Sequence, residues 1–110
     1  MTKFAERSHL QPDHRLAEIA KGTNVTVNSV LPGPTRTEGG SEFIQSLFPG
    51  EKPEVAERKF MQENRPTSLI ERLIQPEEVA ALVTLICSPL AGVVDGAALR
   101  AEGGLVRSVF

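Results

Sequence analysis

The chain has 110 residues, enough for one domain that removes about two thirds of its unfolded surface from water and so keeps a small stability margin. Its composition, 40% hydrophobic and 24% charged, is that of a globular protein, and a net charge of -2 without clustered Lys or Arg argues against a nucleic-acid surface. A single cysteine excludes a disulfide framework or a multi-cysteine zinc site within one chain and points to a reducing, cytoplasmic compartment, while no apolar run approaches the roughly 18 residues of a membrane span.

Taken in order, the first helix is expected over residues 12–21. Pro12 suits a first turn, Asp13 favours the positive end of the helix dipole, Leu16, Ile19 and Ala20 recur at helical spacing, and Gly22 stops it. Residues 25–31 are β-branched and apolar apart from Thr26, Asn28 and Ser29, which predicts a strand buried on both faces and ended by Pro32, which lacks a ladder donor. An excursion over residues 38–67 is expected to be mobile and to hold two short helices, "SEFIQSLF" and "PEVAERKFMQEN", separated by the turn "PGEKP". "QPEEVAALVTLICSP" is the clearest helix, with Pro76 at its first position, Glu77 and Glu78 in its first turn and Pro89 closing it. Val79, Leu82, Val83, Leu85 and Ile86 wrap too widely for one wet face, so this helix is expected to be covered on two sides, by a sheet and by another subunit. A turn at Asp95-Gly96 and a short strand over 97–101 follow.

Two strands joined through a helix imply a parallel pair with a right-handed crossover, and therefore an α/β fold in one domain, residues 1–110. Such a pair has two open edges and few neighbours to cover its faces, so the architecture reads as unfinished.

Most isolated polar residues have ordinary readings. Glu77 and Glu78 are dipole partners rather than an acid/base pair, because adjacent helix positions diverge. His9 and His14 lie in a polar stretch without a cysteine cluster and are expected to be solvated, so no metal site is assigned. Cys87, among Leu85, Ile86 and Pro89 with no cation near it in sequence, reads as a small buried hydrophobe. Ser29 and Ser68 lack a neighbouring base, and Arg65, Arg72 and Arg100 read as surface charges, whereas Arg36 lies where it could meet an anion.

Three stretches, "NVTVNSVLPGPTRTEGG", "QPEEVAALVTLICSP" and "DGAALRAEGG", in this order and at these separations, resemble the C-terminal part of the short-chain dehydrogenase/reductase family over residues 16–106. The resemblance implies a partial Rossmann-like fold with NAD(P) as cofactor. In the family, the Pro-Gly loop follows a sheet strand and meets the nicotinamide end of the cofactor, beyond the carboxyl ends of the strands. It implies cofactor-binding roles for Pro32 and Gly33, which stop the strand and let backbone approach closely, for Thr35, whose backbone pairs with the carboxamide, and for the hydroxyl of Thr37. The 38–67 excursion corresponds to the substrate-binding loop, and Glu102 stands where the family often has Asp.

Other family parts do not occur in this sequence: the TGxxxGxG phosphate turn, the Asn-Asn-Ala-Gly stretch, the catalytic serine and any tyrosine. Lys3 resembles the lysine of Tyr-x-x-x-Lys, although it stands farther from Leu16 than in the family and Pro12 interrupts the intervening helix. The resemblance therefore implies a truncated oxidoreductase, inactive alone and without bound NAD(P), that forms a homo-oligomer through the 76–88 helix and the final strand. One alternative is a split enzyme completed by an N-terminal polypeptide. Another is a small non-enzymatic module that binds a ligand through residues 38–67.

Overall fold

The computed structural model describes residues 12–107. In chain order they form α1 (Pro12–Ile19), β1 (Ser29–Pro32), α2 (Glu38–Leu47), α3 (Pro53–Asn64), α4 (Pro76–Ile86), a 3-10 turn (Pro89–Ala91) and β2 (Ala98–Ala101). β1 and β2 form a two-stranded sheet. Ser29 N–H donates to Ala97 O at 2.9 Å and Gly33 N–H to Ala101 O at 3.0 Å, so the register advances in the same direction on both strands and the pair is parallel. Two compact units divide the chain, Met1–Leu31 with Ala81–Arg100 and Pro32–Ala80 with Ala101–Phe110.

In the first unit α1 ends as its sequence dictates, with Gly22 at φ +84° beyond it. Its inward face differs from the expected stripe: Leu16 and Ile19 are exposed and Ala17 is buried. The close neighbour is Gly96, at φ +66°, where an added Cβ would stand 2.8 Å from His14 Cδ2 and 3.5 Å from Ala17 Cβ. A strand of residues 25–31, buried on both faces, is corrected to a shorter strand that is half-buried at Ser29 and Val30 and exposed at Leu31 and Pro32. One backbone bond, from Gly96 N–H to Val27 O at 2.8 Å, and several side chains hold the preceding residues in place of a continuous ladder. Val27 N–H donates to Asp95 Oδ1, Asn28 Nδ2 donates to Val94 O, and Asn28 Oδ1 accepts from Ala97 N–H. Asx side chains compete in this way with sheet bonds wherever they reach a nearby backbone.

The second unit contains the core. Ile44, Ala56, Met61 and Leu73 are buried together, with Phe48 and Phe60 packed against them. α2 and α3 pack on one another, and Ala56, fully buried, lets them approach because its side chain is a single methyl group. Lys59 Nζ meets Glu51 Oε1 at 2.7 Å and Gln45 Nε2 donates to Glu51 O at 2.6 Å, which ties the intervening turn to both helices. Residues 67–70 lie along the exit of β2. Leu69 and Ile70 N–H both donate to Gly103 O, and Thr67 Oγ1 donates to Leu105 O. Gly103 and Gly104 have φ of +68° and +76°, and an added Cβ would come 2.4 Å from Ile70 Cγ1 or 2.5 Å from Leu69 Cδ1, so only glycine fits this exit.

Candidate functional site

The loop after β1 is built by a change of hydrogen-bonding partner. Only alternate residues of β1 face β2, and Ser29 and Gly33 fix that phase. Pro32 falls between bonded positions, so its missing N–H faces the open edge and costs the pair nothing. Beyond Gly33 the chain turns to Ile74. Thr35 forms a parallel bridge with Ile74, in which Arg36 N–H donates to Ile74 O and Ile74 N–H donates to Pro34 O, each at 2.8 Å. In such a bridge the N–H and C=O of the central residue point away from the partner, so those of Thr35 face the opposite edge.

Gly33 has a reason the sequence did not disclose. A Cβ there would stand 2.8 Å from Glu102 Cα and 3.0 Å from Glu102 O, so the bare Cα admits the backbone leaving β2. Glu102 turns its carboxylate onward, accepting from Val106 N–H at 3.2 Å through each oxygen. Thr35 Oγ1 donates to Gly33 O at 2.9 Å, which tightens the bend. Thr37 is the N-cap of α2, its hydroxyl accepting from Gly40 N–H at 3.0 Å, which leaves the hydroxyl hydrogen available to an outside acceptor.

Charges near the loop are committed. Arg36 forms an ion pair with Glu57 on α3, so it does not present a free guanidinium to an anion. Arg72 binds Glu78 through two bonds of 2.7 and 2.9 Å. Glu78 also accepts from Gln75 N–H at 2.9 Å, the backward half of a capping box at the start of α4. The hydrogen bond from Arg72, followed by that from the Gln75 backbone, holds the Glu78 carboxyl at about 2. The same hydrogen bond raises Arg72. Glu78 is thus more than a dipole partner, a role signalled only by its third-residue spacing from Gln75.

Lys3 and His9 lie outside the described residues. His14 Nδ1 meets Glu18 Oε1 at 3.2 Å, and among the described residues no group of three or more His, Cys, Asp or Glu could hold a metal. Cys87 is exposed, which corrects the buried reading. It follows α4, in which no residue is buried, and lines a cavity of about 740 Å³ in the first unit with Val25, Val30, Val83 and Ile86. Arg65 stacks over Phe60 at 5.8 Å. Ser68 is buried with its Oγ accepting from Glu71 N–H. No helix among the described residues is long and apolar enough to cross a membrane.

Comparison with known proteins adds a family. A family model described as enoyl-(acyl carrier protein) reductase matches residues 13–106. The chain is 63% identical over 97 residues to the "Uncharacterized oxidoreductase YvaG" of Bacillus subtilis (strain 168), covering 86% of this chain and 37% of that protein. To the "Uncharacterized oxidoreductase YvrD" of the same organism it is 44% identical over 96 residues, covering 86% and 36%. Among solved structures, the L-sorbose reductase from Gluconobacter frateurii, complexed with NADPH and L-sorbose, superposes with a TM-score of 0.75 at 24% identity, over 88% of this chain and 36% of that one. That likeness concerns the fold alone. The chain spans little more than a third of the length of these relatives.

Proposed function

This chain belongs to the short-chain dehydrogenase/reductase family, and on that premise we propose that it supplies the nicotinamide-facing loop and the substrate lid of an NAD(P)-dependent oxidoreductase, while neither holding NAD(P) nor reducing a substrate by itself. The observation that carries the reading is the placement of Pro32, Gly33, Thr35 and Thr37. They lie at and just beyond the carboxyl end of a parallel strand, where open α/β sheets bind ligands, with the N–H and C=O of Thr35 turned away from Ile74. One amide donor and one acceptor side by side match a carboxamide, which has the complementary pair.

NAD(P)H would supply a hydride when bound. This chain's part is to orient the ring through Thr35, to offer the Thr37 hydroxyl, and to close the substrate side with α2 and α3. The pyrophosphate needs a different partner, a glycine-rich turn at a helix N-terminus, which this sequence lacks, as it lacks a tyrosine to donate the proton. Titration of the 110-residue chain with NADH or NADPH, followed by nicotinamide fluorescence, is expected to show no binding tighter than about 1 mM. Micromolar binding would overturn the reading.

A second reading concerns assembly. α4 has no buried residue, and Val83, Leu85, Leu90 and Val93 are exposed. Such a run favours self-association through residues 76–88 and the final strand. The exposed β1 residues and the cavity bounded by Val25, Val30, Val83 and Ile86 favour the split-enzyme form, in which an N-terminal polypeptide pairs with this chain. Mixing the chain with a polypeptide that carries the nucleotide turn and tyrosine, then following NAD(P)H oxidation, tests that form.

A further inference from the structure

We infer that Glu57 is a positioning residue for the cofactor loop: by holding the Arg36 guanidinium it fixes residues 34–36 beside α3, so that Thr35 keeps its N–H and C=O turned to the opposite edge. The inference rests on the reading that this edge meets the nicotinamide. Two backbone bonds and one side-chain ion pair hold the extended segment. Arg36 N–H binds Ile74 O, Pro34 O binds Ile74 N–H, and the Arg36 side chain binds Glu57. The anchors are themselves held, since Ile74 and Leu73 are each 4% exposed and Ala56, next to Glu57, is fully buried. Because backbone groups alternate along an extended chain, turning Pro34 O and Arg36 N–H toward Ile74 commits the N–H and C=O of Thr35 to the other edge.

Arg36 and Glu57 are 21 residues apart, and the pair joins the loop to the helix that forms half of the lid. Arg36, the cation nearest the loop, acts as a strut and not as an anion ligand. A partly exposed ion pair is weak, so the effect is local: its loss loosens the loop without unfolding α3.

Amide hydrogen exchange on the 110-residue chain tests this without any cofactor, so its failure is distinct from failure of the NAD(P) reading. Glu57→Gln and Arg36→Gln are each expected to speed exchange at the Arg36 and Ile74 amides about two- to fivefold. The double variant should add nothing further, and Glu57→Asp should restore protection in part. Amides of residues 58–61 and the urea midpoint should stay unchanged. Unaltered exchange at Arg36 and Ile74, additive effects of the two changes, or an equal rise along α3 would each overturn the assignment.

Discussion

At Glu71 the backbone sits at φ +53°, in the left-handed region that costs an L residue about 1–2 kcal/mol. The geometry is imposed by its surroundings. Ser68 Oγ accepts from Glu71 N–H at 3.1 Å, while Leu69 and Ile70 are pinned to Gly103. Glycine relieves the clash and returns part of the gain as chain entropy, so Glu71→Gly is expected to stabilise the fold by about 0.5–1 kcal/mol, read from the urea midpoint. Glu78 carries the clearest acid dependence. Its carboxyl is held at about 2 against an ordinary 4.5, so the folded state binds its proton less readily than the unfolded chain. Its stabilising contribution is full above pH 4.5 and is lost as the pH falls through about 2. A Glu78→Gln variant should therefore be less stable than the parent at pH 7 and approach it in that acid window, as followed by circular dichroism.

The elements differ in how much of their order they generate themselves. α2 and α3 bury Ile44, Ala56 and Met61 against Leu73, so the segment read from sequence as an excursion supplies the core of the second unit. Met61 is 3% exposed, and Met61→Ala is expected to cost about 2–5 kcal/mol in denaturant unfolding, a large share of a small domain's stability. α4 behaves oppositely. Val83 is 42% and Leu85 53% exposed, so replacing Leu85 by Lys should change the stability of the isolated chain by less than about 0.5 kcal/mol. If this helix mediates self-association, the same substitution should reduce the mass seen by light scattering to that of one chain. An unchanged oligomer would remove α4 from the interface.

Over the whole chain, local and distant information separate cleanly. Elements encoded within a few residues were legible: Pro76 at a helix start, Gly22 after α1, and two helices parted by "PGEKP". So was the end of a strand at the Pro-Gly pair, whose residue types carry their own backbone preferences, although the helix cap at Thr37 and the helix start at Glu38 were not. What depends on residues far apart was not legible. Glu102, which makes Gly33 obligatory, is 69 positions away; Glu57, which occupies Arg36, is 21 away. The exposure of Cys87 and the shortness of β1 likewise follow from what packs beside them, which apolar composition does not specify. The sequence by itself determined the elements, their order and the family, because backbone preference and hydrophobic period act over a few residues. Only the tertiary structure decided which charges are engaged and which faces remain open, because those depend on contacts made when distant segments meet.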